Sequence, residues 1–327
     1  MKHCRLSDFS AQLNDSPIVP IESELLNSLQ VQVSVKRDDL IHPIVSGNKW
    51  RKLKHLLHHI ESRGLNNIAV MGGAYSNLIH AVAYIGKQLG WHVNLHVRAH
   101  PGQALTPTLQ DALNWGAKIN YVSRKDYREL RLKPSLAEAG EFWIGEGGFH
   151  SLALAGMQEL IIEIEQHFDF IVMATATGIS LAGLALGAMQ QQLSTKIVGV
   201  AVLDNIETQQ IDIQSILNEH CAKTFENFCP MPQIIESYTF GGYAKVSTEL
   251  IDFIQRFYEQ YQIPLEPVYN GKSFYAVMDL IRQGFFPANS RVLLIHCGGL
   301  QGLRGHLALQ KLTEQINGMS RDLPNTQ

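Results

Sequence analysis

Lys49 is the residue whose place in the chain most directly suggests chemistry. It lies at the junction between a glycine turn at Gly47 and an amphipathic helix pattern. A lysine in the first turn of a helix feels the positive end of the helix dipole, and the charges of Arg51 and Lys52 add to that effect. Both disfavour the ammonium form, and a neutral amine can hold an aldehyde as a Schiff base. On position alone, an ordinary solvated lysine is the other interpretation.

A glycine-containing loop at residues 174–183 could bind phosphate. It directly follows a strand pattern and opens a helix pattern of small residues. Its backbone N–H groups, the hydroxyls of Thr177 and Ser180 and the helix dipole together suit an anion. The loop matches neither GxxxxGK[ST] nor GxGxxG, which argues against a nucleoside triphosphate or a dinucleotide. The alternative is that Gly178 and Gly183 only allow the helix to pack closely on the strand.

A second loop, residues 72–77, also lies between a strand pattern and a helix pattern. The N–H groups of Ser76, Asn77 and Leu78 could hold a substrate carboxylate, with the Ser76 hydroxyl pointing into the cleft. The Asn77 amide could reach a phenolic oxygen of a cofactor, whereas a simple helix N-cap is the alternative for both residues. A lysine able to form an imine, a phosphate cradle and a carboxylate cradle together describe pyridoxal phosphate bound to a small amino-acid substrate.

Size and composition exclude several classes of protein. The 327 residues are 45% hydrophobic, enough for a large core and for two domains. Net charge is −3 with no basic block, so neither nucleic acid nor a membrane is expected as a partner. The polar N-terminus lacks the apolar core of a signal peptide, and four widely spaced cysteines are typical of free thiols in a reducing cytosol. We therefore expect a cytoplasmic protein. The fourteen histidines form no HExxH motif or His/Cys cluster, so no metal site is predicted.

Short apolar runs alternate with helical patterns along most of the chain. This order predicts an α/β protein in which open, mostly parallel sheets carry helices on both faces. The predicted strands are residues 31–35, 68–71, 92–98, 118–122, 142–144, 170–174, 196–202, 233–236 and 292–295. The clearest helix patterns cover residues 77–89, 105–115 and 152–168. The longest apolar run, residues 179–189, is about half a membrane span and predicts a buried helix.

The strands fall into two groups, and no low-complexity linker separates them. We therefore expect two packed domains with a cleft between them. The chain is predicted to start in a large, cofactor-binding domain (residues 1–51 and 157–327) and to build a small domain (residues 52–156) before it returns.

The sequence resembles the 1-aminocyclopropane-1-carboxylate (ACC) deaminase and D-cysteine desulfhydrase family, which belongs to the fold type II, tryptophan synthase β-like pyridoxal phosphate enzymes. The resemblance runs from Val35 to the C-terminal helix pattern. It rests on these motifs: Gly47-Asn48-Lys49-x-Arg51-Lys52-Leu53, Gly72-Gly73-x-x-Ser76-Asn77, Glu146-Gly147-Gly148, Thr177-Gly178-x-Ser180-x-Ala182-Gly183 and Pro267-Val268-Tyr269-x-Gly271-Lys272. It implies a two-domain, three-layer α/β fold and a homodimer.

The resemblance also implies a role for each matching residue. Lys49 is the Schiff-base lysine, Asn77 contacts the phenolic oxygen of the cofactor and Ser76 lies beside the substrate carboxylate. Tyr269 and Tyr243 match two catalytic tyrosines of the family. The phosphate-binding positions are Thr177, Gly178, Ile179 and Ser180, with help from Lys52.

Three departures from the family pattern bear on the reaction. Asn270 stands where deaminases have a glutamate that holds the pyridinium nitrogen and desulfhydrases have a threonine. Cys297 stands where the two groups have leucine and threonine, and Leu78 replaces a common glutamine. We expect Asn270 and Cys297 to contact the cofactor, and a neutral partner makes the ring a weaker electron sink. Together these departures favour α,β-elimination over deamination of ACC.

The interpretation favoured by the sequence is therefore a pyridoxal phosphate-dependent lyase. Its expected reaction is D-cysteine desulfhydrase-like α,β-elimination, which releases ammonia and a 2-oxo acid. β-Replacement on the same scaffold and deamination of ACC to 2-oxobutanoate are the near alternatives. A non-catalytic pyridoxal phosphate-binding protein is the alternative from another class. A dinucleotide-dependent reductase would need a GxGxxG turn followed by an acidic residue, which the chain lacks.

Overall fold

A computed structural model describes residues 4–132, 140–224, 229 and 231–321. Within these residues the strands form one sheet of six, in the order β1-β2-β10-β7-β8-β9, and one of four, in the order β5-β4-β3-β6. The strands are β1 Ile18–Ile21, β2 Gln32–Lys36, β3 Asn67–Gly73, β4 His92–Arg98, β5 Lys118–Val122, β6 Phe142–Ile144, β7 Phe170–Thr175, β8 Lys196–Ala201, β9 Gln233–Ile235 and β10 Arg291–Ile295.

Helices connect the strands in nearly regular alternation. In the described part of the chain they are α1 Leu6–Ser10, α2 Glu24–Ser28, α3 Asn48–Ser62, α4 Asn77–Leu89, α5 Pro107–Asn114, α6 Arg124–Leu132, α7 Ser151–Ile162, α8 Ile179–Gln190, α9 Ile206–Thr224, α10 Thr248–Tyr261, α11 Asn270–Arg282 and α12 Gln310–Arg321. None of them is both long and apolar enough to cross a lipid bilayer.

The edge strand β1 is the element that the sequence did not predict. It pairs antiparallel with β2, with Ile18 opposite Lys36, whereas the other described strand pairs are parallel. Pro20 lies inside β1. Proline cannot donate a ladder hydrogen bond, which hides a strand from pattern analysis but is tolerated at a sheet edge.

The large sheet is covered by helices on both faces. Ile171 and Met173 of β7 pack into one core, which includes the apolar residues of α8. Phe170 and Val172 of the same strand pack into a second core, formed with α10 and α11. Successive residues of a strand point to opposite faces, so one apolar run serves both cores. The predicted α/β class, with helices on both faces of mostly parallel sheets, is confirmed.

The small sheet shares its larger core with the large sheet. Ile68 and Val70 of β3 lie in the same apolar cluster as Ile171, and α3 and α7 pack against each other within it. On its other face Met71 packs with Tyr127 of α6. The two sheets are therefore joined by a continuous core. The domain boundaries at residues 51/52 and 156/157 stay a prediction.

Two expectations need correction. The helix predicted for residues 152–168 ends at Ile162, because Asp169 already pairs with the sheet: its N–H donates to Arg291 O (2.9 Å) and its carbonyl accepts from Lys196 N (2.8 Å). The expectation of four free cysteines is wrong at Cys229, which is disulfide-bonded, because the positions of cysteines along a chain do not by themselves determine which thiols folding brings together. Cys4 and Cys297 are free, and the side chain of Cys221 lies outside the described residues.

Candidate active site

Two adjoining cavities lie where the carboxyl ends of both sheets meet. The larger has a volume of about 530 Å³, and its lining includes the predicted residues Lys49, Ser76, Asn77, Thr177, Tyr243 and Tyr269. The smaller, of about 60 Å³, shares part of that wall and adds Lys52, Gly178 and Ser180. The remaining predicted residues, Ile179, Asn270 and Cys297, are buried and line neither cavity.

Lys49 reaches the cavities because of a close backbone contact. Helix α3 begins directly after Gly47, whose φ is +62°, and a Cβ atom there would lie 2.0 Å from the carbonyl oxygen of Cys297. Only glycine permits that approach. The Lys49 ammonium donates to Asn48 Oδ1 and lies 5.7 Å from the centre of the Tyr269 ring.

Asn48 connects this lysine to the predicted phosphate loop. Its Nδ2 donates to Ser180 Oγ (3.1 Å), while its Oδ1 accepts from Lys49. Sequence reasoning missed Asn48 as a site residue, although it stands inside the lysine motif. The glycine turn on one side and the lysine on the other were the signals that could have found it.

The electrostatics of Lys49 agree in direction with the sequence argument but differ in cause. Burial lowers the pKa of Lys49, and Cys297 and Glu266 oppose that shift. The pKa of Lys52, which is 3% exposed, is lowered well below its ordinary value by burial and then by the charge of Lys49. The charge of Arg51, expected to contribute, is instead paired with the carboxylates of Asp38 and Glu163.

The loop at residues 176–178 is built to receive an anion. Gly178, with φ of +79°, precedes α8, and no side chain caps that helix. Uncapped N–H groups in the first turn of a helix favour an anionic ligand. A Cβ atom on Gly147 would lie 2.5 Å from Thr177 Oγ1, and the Gly147 carbonyl accepts from the Lys52 ammonium. Gln209, which the sequence did not point to, holds the loop by donating to Thr175 Oγ1 (3.2 Å) and Ala176 O (2.5 Å).

The second predicted loop does act as a helix cap. Ser76 Oγ accepts from Ile79 N (3.4 Å) at the start of α4. Asn77 Oδ1 accepts from Gln301 Nε2 (2.6 Å), and a Cβ atom on Gly299 would lie 2.3 Å from Asn77 Nδ2. Ser76 therefore caps α4 and also lies in the wall of the larger cavity. Gln301, a residue with no sequence signal, therefore fixes the orientation of Asn77.

The two predicted tyrosines lie together in the larger cavity. Tyr269 donates its hydroxyl to Tyr243 at 3.4 Å, and their rings meet edge to face at 6.2 Å between centres. Burial raises the pKa of Tyr269 well above its ordinary value and raises that of Tyr243 as well, so both keep their protons at neutral pH. The buried Lys272 donates to Thr239 O (2.7 Å) and Gly242 O (2.8 Å) and thereby holds the loop that carries Tyr243.

Asn270 has protein partners for both hydrogens of its amide and for one acceptor position of its amide oxygen. Its Nδ2 donates to Glu266 Oε1 (3.2 Å) and Gly298 O (2.8 Å), and its Oδ1 accepts from Cys297 N (2.7 Å). No amide hydrogen is left to donate to a cofactor nitrogen, and only one acceptor position on Oδ1 remains. Asn270 thus ties the start of α11 to the turn after β10. Burial raises the pKa of the Cys297 thiol to about 12, which keeps it neutral.

Glu266 is the buried carboxylate at the base of this region. It is 1% exposed and accepts from the backbone N–H groups of Val268 (2.8 Å), Tyr269 (2.8 Å) and Asn270 (2.7 Å). It therefore sets the backbone that presents Tyr269. Sequence reasoning missed it, because a glutamate three residues before a tyrosine carries no motif signal.

The residues present fit pyridoxal phosphate. An uncapped helix N-terminus and Ser180 lie at one end of the cavities, and Lys49 with a lowered pKa lies at the junction of the two. The glycines at 147 and 178 leave the room that side chains would fill. These features match the two ends of pyridoxal phosphate: the helix start suits its phosphate, and Lys49 can hold its aldehyde.

Comparison with known proteins supports the same cofactor. The family model described as pyridoxal-phosphate dependent enzyme matches residues 10–298. A 1-aminocyclopropane-1-carboxylate deaminase of Methylobacterium nodulans is 27% identical over 305 residues, which cover 85% of this chain and 89% of that protein. A mitochondrial protein of Arabidopsis thaliana, named bifunctional D-cysteine desulfhydrase/1-aminocyclopropane-1-carboxylate deaminase, is 27% identical over 294 residues. These cover 82% of this chain and 72% of that protein.

A solved structure gives the same result for the fold. The crystal structure of an ACC deaminase homologue superposes with a TM-score of 0.77 at 26% identity, over 94% of this chain and 99% of that one. The chain is therefore an enzyme that belongs to the pyridoxal phosphate-dependent family and uses pyridoxal phosphate as its cofactor, with relatives among the ACC deaminases and D-cysteine desulfhydrases.

Proposed function

We propose that this enzyme catalyses α,β-elimination on a β-substituted amino acid such as D-cysteine and releases ammonia and a 2-oxo acid. One observation carries the proposal. Within one cavity, burial lowers the pKa of a lysine and raises the pKa of two tyrosines. Burial thus favours loss of the proton from the lysine and its retention on the tyrosines, so one cavity holds a base and acids of the kind that elimination uses.

The residues around the cofactor have separable tasks. Pyridoxal phosphate, when bound, supplies the aldehyde that an amine can capture and a ring that spreads negative charge from the substrate carbon. Lys49 holds the cofactor covalently in the resting enzyme. Ser180, Thr177 and the N–H groups at the start of α8 bind its phosphate, and Lys52 supplies positive charge to the same small cavity.

The residues that act on the substrate line the larger cavity. The N–H groups at the start of α4 and Ser76 orient the substrate carboxylate. The Lys49 amine, when free, would take the α-proton of the substrate. Tyr269 or Tyr243 gives a proton to the leaving group at Cβ. The hydroxyls are mutually hydrogen-bonded, so either can be resupplied by the other.

ACC deamination is the second candidate, and the names of the relatives favour it. ACC has no α-proton for Lys49 to remove, and its ring must open without loss of a good leaving group. The groups at the expected position of the ring nitrogen, Asn270 and the Cys297 thiol, are neutral. A neutral partner stabilises a charged ring less, which supports elimination over ring opening.

Release of the two 2-oxo acids tests the choice. We expect pyruvate from D-cysteine or β-chloro-D-alanine at rates well above the formation of 2-oxobutanoate from ACC at equal concentration. L-Cysteine is the stereochemical control, and Lys49→Ala, which cannot hold the cofactor covalently, is the control for non-enzymatic release. ACC turnover as fast as D-cysteine turnover would show that the proposal is wrong.

A further inference from the structure

Arg98 is a cation in the wall of the larger cavity that the proposed mechanism does not use. It is the last residue of β4, and in the sheet it lies opposite Gly73, the last residue of β3. Neighbouring strands are about 4.8 Å apart, so Arg98 leaves the sheet beside the turn that leads to Ser76. The same cavity contains Lys49, Tyr243 and Tyr269.

The ion pairs of the cavity leave Arg98 without a carboxylate. Arg131, in the same wall, is paired with Asp212 (2.5 Å) and with Glu146 (3.5 Å). Among the residues that the structure describes, no carboxylate oxygen lies within 4.0 Å of the Arg98 guanidinium. Arg98 is exposed at the cavity wall, so its guanidinium is open to an anionic ligand that enters the cavity.

Arg98 is nevertheless held in place. Its guanidinium lies 5.3 Å from the centre of the Tyr127 ring, and the Tyr127 hydroxyl donates to Glu146 Oε1 (2.8 Å). Stacking on a fixed aromatic ring orients the planar guanidinium and leaves its N–H groups available. Its charge also acts inside the cavity: burial raises the pKa of Tyr243, and Arg98 is among the groups that oppose this rise.

We propose that Arg98 binds a second anionic group of the substrate, carried on the part that leaves from Cβ. This inference rests on the proposed elimination and narrows it to β-substituted amino acids with an acidic leaving group. A planar guanidinium can bind a carboxylate through two parallel hydrogen bonds. The α-carboxylate stays with the start of α4, one strand away.

The step balances for a thiol leaving group that carries a carboxylate. Lys49 takes the α-proton, and the C–H electron pair forms the Cα–Cβ double bond. The Cβ–S bond breaks with its pair on sulfur, and the thiolate takes a proton from Tyr269 or Tyr243. Water then converts the released aminoacrylate into pyruvate and ammonia. Arg98 touches only the distal carboxylate, so it is a specificity residue.

The test uses two substrates of the same shape and different charge. S-carboxymethylcysteine carries a carboxylate on its leaving group, and S-carbamoylmethylcysteine carries the neutral amide in its place. With the holoenzyme, we expect kcat/KM for the acid to exceed that for the amide by about 10- to 100-fold, mostly through KM, since a hydrogen bond to a charged group has that value. Arg98→Gln should bring the ratio to about one, and Arg98→Lys should restore part of it.

Several outcomes separate this inference from the proposed function. Equal kcat/KM for the two compounds, or a preference that survives in Arg98→Gln, overturns the role of Arg98 and leaves elimination intact. If the holoenzyme releases pyruvate from none of the β-substituted compounds, elimination itself is wrong. The dissociation constants of the acid and the amide, from titration of the cofactor absorbance, then decide the role of Arg98: a ratio near one overturns it, and a ratio above ten that Arg98→Gln removes supports it.

Discussion

Three cations lie within one turn of helix α3, namely Lys49, Arg51 and Lys52, and they differ in their hydrogen-bond partners. The guanidinium of Arg51 donates to both carboxylate oxygens of Asp38 (3.0 and 2.9 Å) and to Glu163 (2.8 Å). Burial alone would lower its pKa, yet Asp38 and Glu163 raise it above its ordinary value. Lys49 and Lys52, on the cavity side, form no ion pair with a carboxylate of the described residues, and burial lowers the pKa of both.

The difference shows that the carboxylate partner, and not the type of cation, decides the role. A buried charge is stable when it is paired and hydrogen-bonded, and an unpaired one tends to become neutral. Arg51 therefore fixes the start of α3 to the rest of the fold. We expect Lys49 to act as the nucleophile and Lys52 to bind an anionic group of the cofactor.

The largest expected effect follows from breaking the paired side. Arg51→Met leaves Asp38, which is 0% exposed, without its counter-charge. We expect the free energy of unfolding to fall by about 3–5 kcal/mol, as for other buried pairs that lose one partner. Urea denaturation of the cofactor-free protein measures it. Arg51→Lys keeps the charge but not the two-point hydrogen bonding, so its stability should lie between those of the unchanged protein and Arg51→Met. Equal stability of the three proteins would contradict the structural role of Arg51.

A smaller effect follows from adding a carboxylate to the unpaired side. Ser180→Asp puts a negative charge where we expect the phosphate, next to Asn48. Repulsion in a poorly hydrated site should weaken retention of pyridoxal phosphate by about 100-fold or more. Equilibrium dialysis with absorbance detection measures the loss. The matched control Ser180→Ala adds no charge and should lose about tenfold at most; normal cofactor content in a folded Ser180→Asp protein would place the phosphate elsewhere.

The smallest effect is the contribution of Lys52, on the unpaired side, to the pH dependence of stability. The pKa of Lys52 in the folded, cofactor-free protein lies well below the ordinary 10.5 that the unfolded chain has. Between these two values the unfolded chain binds the proton and the folded protein does not, so stability rises with pH, by at most about 1.4 kcal/mol per pH unit. Lys52→Met should remove this contribution. Bound phosphate supplies an anion for Lys52, so the stability of the holoenzyme should depend less on pH. Identical slopes for the cofactor-free protein, Lys52→Met and the holoenzyme would show that Lys52 does not make this contribution.

Local patterns in the sequence predicted most of the elements. Strands β4, β5 and β6 and helix α4 have the predicted bounds, because period-two and period-3.6 spacing of apolar residues is a local property. Strand β1 was missed because of Pro20, and the end of α7 was missed because the pairing of Asp169 comes from distant strands. The domain boundaries, the homodimer and the cytoplasmic location stay predictions.

The sequence by itself determined the α/β class, the cofactor and the loops that line the cavities, since strand, glycine turn and helix start follow one another along the chain. Only the tertiary structure decided which charges are paired. Glu163 lies 112 residues from its partner Arg51, and the two atoms that hold Asn270 against the turn after β10 come from 27 and 28 residues away. A side chain's charge state and free hydrogen bonds depend on neighbours brought together by folding. Arg98 is unremarkable in the sequence, and only the fold places it beside the proposed substrate site with no ion pair to a carboxylate of the described residues.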